Sequence, residues 1–266
     1  MIIHRGVVTR VVPLSSHLVR VTLGGPGLAG FLSTGSGDEY VRMFFPHGED
    51  PTDVVLPEPD GDWWKTPEGA PEAPMRTYTI RAARPESGEI DVDFVVHDDG
   101  VAGPWASRAQ PGHVLGVNSP TALYELPADA RWQFLAADLT GLPAIARIVE
   151  DATATVRTRV VVEVLSEEEA DLIPQRPHVE VTAVIGGNGA TPSRIGEIVR
   201  GEAPRSLPFD TGYVWVAGET AALRDARKYL HRELAIAPDR FKVVGYWNRP
   251  EPDRTTRRRR AVSARR

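Results

Sequence analysis

Near residue 125 the hydrophobic pattern of this chain changes period, so two different kinds of sheet are needed on the two sides of the change. Before it, short runs at Gly6–Val12, Leu18–Leu23 and Tyr40–Phe45 are separated by turn-rich segments such as Gly24-Gly25-Pro26-Gly27. That spacing predicts a small antiparallel barrel. After it come apolar runs at Trp132–Ala137, Val160–Leu165, Val179–Ile185, Tyr213–Ala217 and Phe241–Tyr246. Several are nearly continuous in Val, Leu, Ile or Ala, as buried parallel strands require. Helical patterns lie between them at Leu142–Ala152, Pro192–Val199 and Ala221–Leu234, the last with Leu223, Ala226, Leu230 and Leu234 on one face. Strand alternating with helix predicts a doubly wound parallel sheet, with ligands at the carboxyl ends of its strands. The expected division is a barrel domain at 1–127, an α/β domain at 128–250 and a basic disordered tail at 251–266.

Composition narrows the chemistry. The 266 residues are 41% hydrophobic and 25% charged, enough for two packed cores. There is no apolar run of about 18 residues, so no membrane span is expected. The first residues lack the pattern of a signal peptide, and the cytoplasm is the expected location. Cysteine is absent. Disulfides, thiolate metal sites and cysteine-ligated iron–sulfur clusters are thereby excluded, and redox chemistry would need a bound organic cofactor or a metal arriving with the substrate. The net charge is −5 despite Arg257 to Arg260, Arg265 and Arg266 in the tail, so the body is more acidic still. That argues against a nucleic-acid partner.

The stretch with most chemical content is Met75-Arg76-Thr77-Tyr78-Thr79-Ile80-Arg81. Its β-branched and aromatic residues predict a strand, with Arg76, Tyr78 and Ile80 on one face. An Arg beside a Tyr offers a cation for a phosphate and a flat ring for stacking, and Thr79 adds a hydroxyl or backbone N–H. A flavin dinucleotide needs these together; an ordinary barrel strand with an exposed Arg also has them. Ile90–Val96 is expected as the partner strand. Beyond it, His97, Gly100, Ala102 and Gly103 precede a short helix near Pro104, a turn that either leaves backbone N–H groups for a phosphate or simply joins strand to helix.

Four further segments stand out. Residues 46–74 form a long Pro- and Gly-rich loop whose Trp63-Trp64 either caps a cofactor or anchors the loop. Asp138 and Thr140 follow the first parallel strand, where they could cap the helix that Pro143 opens. Gly186-Gly187-Asn188-Gly189 and Gly218-Glu219-Thr220 end later strands, where glycine either admits a nucleotide or makes a turn. No GxGxxG follows the first strand, so a simple NAD-dependent dehydrogenase domain is not expected. His17 reads as a surface or barrel-end residue.

Taken in order, four pieces resemble the siderophore-interacting protein family of ferric-siderophore reductases, within the ferredoxin-reductase superfamily. They are Arg76-Thr77-Tyr78-Thr79, the His97–Ala106 segment with Pro111-Gly112, Asp138-Leu139-Thr140-Gly141-Leu142-Pro143-Ala144-Ile145, and Trp215-Val216-Ala217-Gly218-Glu219 with Gly245-Tyr246-Trp247. The resemblance implies tightly bound FAD. Arg76, Tyr78 and Thr79 would hold the pyrophosphate and isoalloxazine, while His97, Gly100, Ala102 and Gly103 would lie along the phosphates and Asp138 and Thr140 near the adenine. It further implies NADPH or NADH docking around Gly218 and Glu219, and a ferric siderophore meeting the flavin edge beside Arg249. No acid–base residue and no protein metal site are implied. The chain departs from the family pattern at Gly103, where Ser or Thr is frequent, at Leu139, where Glu is common, and at Asn248, where Arg or Lys is common. Arg176 and Arg194 suit a 2′-phosphate, whereas Glu167-Glu168-Glu169 oppose one, a slight balance toward NADPH. Ferredoxin as donor, another electron acceptor, or a non-enzymatic siderophore carrier stay open.

Overall fold

A computed structural model describes residues 2–61, 63–203 and 209–249. The expected basic tail at 251–266 lies outside the described residues. The first part holds strands β1 (Ile3–Pro13), β2 (Leu18–Gly24), β3 (Tyr40–Phe44), β4 (Glu58–Asp60), β5 (Trp63–Lys65), β6 (Met75–Thr79), β7 (Ala82–Arg84), β8 (Glu89–Val95) and β9 (Val114–Asn118), with a short helix α1 (Ala102–Ala106). Seven of these form one antiparallel sheet in the order β6-β3-β9-β1-β2-β8-β7. The strands at its two ends are consecutive in sequence. At Ile80-Arg81 the chain leaves β3 and joins β8: Ile80 N–H donates to Glu39 O (2.9 Å) and Arg81 N–H to Asp91 O (2.8 Å). One segment thus belongs to both ends of the sheet, which curls it into a barrel around Val21, Val41, Met43, Val92, Phe94 and Leu115.

The second part contains β10 (Trp132–Ala137), β11 (Arg157–Val164), β12 (Val179–Ile185), β13 (Gly212–Glu219) and β14 (Phe241–Trp247), all parallel, in the order β12-β11-β10-β13-β14. Side-chain alternation along β10 splits the core in two. Leu135 and Ala137 pack with helix α2 (Leu142–Asp151) on one face, and Phe134 and Ala136 with α3 (Ile195–Glu202) and α4 (Leu223–Lys228) on the other. This is the doubly wound sheet the pattern predicts.

Four details differ from expectation. The strand expected at Ile90–Val96 as partner of β6 is β8, which pairs with β2 and β7, while β6 pairs with β3. β12 is an edge strand and largely exposed, Ile185 to 54%, because it has a sheet neighbour on one side only. The helix expected from 192 starts at Ile195, since Ser193 Oγ is engaged with Glu163 (2.7 Å). The helix expected through Leu234 ends as α at Lys228 and continues as a π-helical turn over Tyr229–Glu233.

In the 46–74 loop, β4 and β5 pair as a hairpin. Trp64 meets Phe44 edge-on (5.5 Å) and lies under the Arg42 guanidinium (5.2 Å), so it anchors the loop to the barrel. Trp63 is 65% exposed.

Buried polar contacts lock the two parts together. Arg147 on α2 donates to Glu39 Oε1 (2.7 Å) and to the Ile80 carbonyl (3.0 Å). Arg81 makes a two-pronged pair with Glu150 (2.9 and 2.6 Å). Trp215 Nε1 donates to Asp38 Oδ2 (3.2 Å), whose other oxygen takes the N–H groups of Leu123 and Tyr124. His17, expected at the barrel end, faces buried Glu169 at 2.9 Å.

Candidate functional site

The barrel side of the site is β6. Its Arg76 is exposed, and among the described residues its guanidinium hydrogen-bonds only the Met75 carbonyl (2.7 Å), which leaves it free to meet a phosphate. Tyr78 is half-buried with its ring 4.3 Å from Phe94, and burial pushes its phenol pKa upward despite the opposing charge of Arg76. Thr79 is 5% exposed, and its hydroxyl makes no well-formed hydrogen bond, its polar neighbour being the Tyr246 phenol. A buried, unsatisfied hydroxyl carries a free-energy cost of about 1–3 kcal/mol unless a ligand supplies the missing bond. The half-buried phenol of Tyr246 on β14 lies beside it, so β6 faces the end of the parallel sheet. A strand that carries an exposed cation, a shielded ring and, at its end, a buried hydroxyl open to a further bond fits a flavin nucleotide.

The segment after β8 is coupled to the same place by packing. Phe94 lies under Tyr78, and Trp105 on α1 packs on Phe94 (5.6 Å). His97 and Gly100 are exposed, with Gly100 at φ +72°, whereas Ala102 and Gly103 are buried. A side chain at 103 would start 2.5 Å from the His97 carbonyl, so the departure at Gly103 is what lets His97 fold back over it. The first backbone N–H groups of α1 have no acceptor within the helix.

On the parallel-sheet side the expected site residues also make contacts within the protein. Asp138 is fully buried. Its Oδ1 accepts from Thr140 N–H (3.0 Å) and Thr140 Oγ1 (2.5 Å), and its Oδ2 from Glu219 N–H (2.9 Å) and Trp247 Nε1 (2.7 Å). Burial pushes its pKa up, against the pull of these four donors. With every acceptor direction taken, Asp138 cannot touch an adenine, and Thr140 spends its hydroxyl on the same carboxylate. Gly218, at φ +149°, is enclosed too: a Cβ there would stand 2.7 Å from Asp138 Oδ2. Its openness serves a carboxylate and not a nucleotide. Glu219 gives its backbone N–H to Asp138 and keeps a half-buried side chain. Thus Asp138, Thr140, Gly218 and Glu219 come together around one buried carboxylate, with the side chains of Thr140 and Glu219 half-buried at its edge. Arg249 is exposed at the rim and donates through Nη2 to Gly189 O (2.7 Å) and Thr191 O (3.4 Å).

Two members of this end of the sheet had only weak sequence signals. Asn188, at φ 55° between glycines, accepts from Leu139 N–H (2.7 Å) and donates to the Glu163 and Gly186 carbonyls. Buried Glu163 accepts from Ser193 Oγ and Arg194 N–H, and its pKa is raised by burial.

An antiparallel barrel whose rim carries a flavin-type cation, ring and hydroxyl, set against a five-stranded parallel nucleotide-type sheet, defines the ferredoxin-reductase-like class of flavoproteins. Comparison with known proteins is more specific. Residues 7–124 match the family model described as "Siderophore-interacting FAD-binding domain", and residues 130–250 that described as "Siderophore-interacting protein". The chain belongs to the siderophore-interacting protein family. It is 35% identical over 242 residues to the ferric vibriobactin reductase of Vibrio cholerae, covering 89% of this chain and 86% of that one. It is 29% identical to the NADPH-dependent ferric-chelate reductase of Escherichia coli, covering 91% of both. The crystal structure of a siderophore utilization protein from T. fusca superposes with a TM-score of 0.81 at 32% identity, over 95% of each chain.

Proposed function

We propose that this protein is an FAD-dependent ferric-siderophore reductase that takes electrons from NADPH or NADH and releases chelated iron as Fe(II). The observation that carries the reading is one strand that offers a free Arg76 guanidinium, a shielded Tyr78 ring and, at its end, a buried Thr79 hydroxyl open to a further hydrogen bond. Its support from relatives is that the two named above are ferric-chelate reductases, one of them NADPH-dependent.

In this reading Arg76 binds the pyrophosphate, Tyr78 covers the ring system, and Thr79 completes its hydrogen bonding on the ring edge. His97, Gly100, Ala102 and Gly103 border the phosphates. When bound, the flavin takes two electrons from a nicotinamide as hydride and passes them on singly, which matches one hydride to two Fe(III) ions. The protein orients the partners and lends positive charge at the rim through Arg249 for chelates that carry negative charge. Nicotinamide docks on the parallel sheet near Glu219. NADPH is slightly favoured as donor: Glu169 points into the domain interface toward Ser15 and His17, which leaves Glu167 and Glu168 exposed to oppose a 2′-phosphate against Arg176 and Arg194. Reduced ferredoxin is the other donor to test. Among the described residues no helix is long and apolar enough to cross a membrane. The proposal places the protein in the cytoplasm, where nicotinamide dinucleotides are reduced. The two-domain division at 127/128 belongs to the same reading, supported by the end of β9 at Asn118 and the start of β10 at Trp132.

The test is an anaerobic visible spectrum of the purified protein, before and after NADPH and then a ferric siderophore. Bleaching by NADPH and recovery with the chelate is the expected result. Bleaching by NADH or reduced ferredoxin alone would change the donor only. A colourless protein that binds no added FAD would overturn the reading.

A further inference from the structure

A carboxyl group that no ligand can reach sits among the residues that ligands would meet. Asp138 follows the last residue of β10 and is fully enclosed. All four of its donors are neutral, and they come from three different segments: Thr140, Glu219 and Trp247. A buried carboxylate without a cationic partner carries a desolvation penalty, which its hydrogen bonds offset only while every donor stays in place. The segment most dependent on it is the end of β14. There the register with β13 shifts by one residue: Gly218 pairs with Gly245, but Glu219 pairs with Trp247. Such a bulge re-aims the side chains that follow it. The re-aimed Trp247 places its indole N–H on Asp138, and its carbonyl accepts from Thr220 N–H (2.9 Å) and Thr220 Oγ1 (3.0 Å).

Two residues later, Arg249 rests on the 186–191 loop through the Gly189 and Thr191 carbonyls. That loop is itself fastened beside Asp138, because Asn188 Oδ1 accepts from Leu139 N–H. Both supports of the Arg249 side chain, the strand it extends from and the loop it lies on, therefore converge on the end of β10. We infer that Asp138 is a positioning residue for the substrate rim: by holding the Trp247 indole it sets where the Arg249 guanidinium is presented to an anionic, oxygen-rich ferric chelate. This rests on the proposed reductase reading for its substrate class. It replaces the expected contact of Asp138 with the cofactor by an action through Trp247. Arg249 reaches the loop carbonyls through Nη2 alone, so its remaining N–H groups are available to a chelate oxygen.

The experiment is a double-mutant cycle on the flavin-loaded protein, with Asp138→Asn, Arg249→Ala and the pair. Turnover is measured with ferric citrate as the anionic chelate and with 1,4-benzoquinone as a neutral acceptor. Asn can accept at one oxygen only, so it loses one pair of the four bonds. Each single change is expected to raise KM for ferric citrate by about fivefold, and the pair by little more than either alone, since residues acting through one another are not additive. KM for benzoquinone under Asp138→Asn should move less than twofold, on the order of the scatter between independent sites. A product of the two single effects would overturn the inference, as would equal shifts for both acceptors, the mark of general loosening. If Asp138→Asn fails to fold, Trp247→Phe keeps a ring but removes the indole N–H that Asp138 holds, and carries the same expectations. Calorimetric binding of gallium(III) citrate, which cannot be reduced in this way, separates the two levels. Weaker gallium citrate binding by Asp138→Asn with no ferric turnover even in the parent protein would sustain the positioning role and sink the reductase reading. Unchanged gallium citrate binding would sink the positioning role.

Discussion

Removing either partner of the Glu39–Arg147 pair should uncouple the two halves of the molecule and loosen the flavin strand with them. Glu39 is fully buried and Arg147 is 9% exposed. The carboxylate accepts from Ser33 Oγ (2.7 Å), Thr34 Oγ1 (2.7 Å), Thr34 N–H and Arg147 Nη1 (2.7 Å). Stranding one charge of a buried pair costs about 3–5 kcal/mol. With Arg147→Met, Glu39 keeps three neutral donors, so about 3 kcal/mol is expected, on the order of a hundredfold in the folded ratio. Glu39→Gln should cost more, because one amide oxygen must serve four donors and Arg147 is left with only the Ile80 carbonyl and the Ser33 hydroxyl. The double variant should fall short of the sum by about 1–3 kcal/mol. Urea unfolding followed by both circular dichroism and tryptophan fluorescence measures this, and two separated transitions in a variant would report uncoupled halves. Acidity supplies a second check. Burial alone would raise the Glu39 pKa, but hydrogen bonds from Ser33, Arg147 and Thr34 hold it below its ordinary 4.5. A depressed carboxylate gives stability that is present above its unfolded value and lost as pH falls through its folded value. The deficit of Glu39→Gln should therefore be full at pH 7, in the range of about 3–5 kcal/mol, and shrink below the folded pKa. Costs under about 1 kcal/mol, simple additivity, or a deficit that persists in acid would refute the reasoning.

Two further changes probe the site directly. Tyr78→Ala removes the ring lying 4.3 Å from Phe94, and should lower stability by about 2 kcal/mol or more along with flavin retention. A full visible-to-ultraviolet absorbance ratio in purified Tyr78→Ala protein would dismiss the stacking role. Gly218→Ala forces a Cβ to 2.7 Å from Asp138 Oδ2 at a backbone φ of +149°. The melting temperature should drop by several degrees, about 2 kcal/mol or more, and an unchanged one would show that the carboxylate can move aside.

Much of the fold was legible because the two halves obey different periods. Trp132–Ala137 and Val179–Ile185 were expected as strands and are observed with those bounds. Period does not tell which parallel strand lies at an edge. Val179–Ile185 is as β-branched as a buried strand, and its exposure follows from having one neighbour, a fact of topology. Barrel closure was equally hidden. The chain crosses from β6 to β7 at Ile80-Arg81, with neither glycine nor proline to mark it, and the crossing is secured by Glu39, Asp91 and Arg147 from elsewhere in the chain.

The site divides along the same line, for a chemical reason. On β6 the polar groups are the ones the protein leaves little used, so Arg76, Tyr78 and Thr79 read in the sequence as candidate ligand contacts. At the ends of the parallel strands the same sequence features have a second use. Gly218 makes room for Asp138, and Gly187 makes room for Glu163, whose Oε2 would lie 2.5 Å from a Cβ there. Both carboxylates are buried, satisfied by protein donors, and raised in pKa by burial. In a sequence, a glycine that admits a nucleotide and a glycine that admits a carboxylate are indistinguishable; the difference lies in which group occupies the space. The consequence bears on binding. A phosphate-bearing nucleotide brought to those glycines would meet a buried carboxyl group directly behind them. We expect nucleotide binding at this edge to rest on backbone N–H groups and exposed loop cations such as Arg194, and so to weaken with salt, while the buried carboxylates hold the strand ends in place.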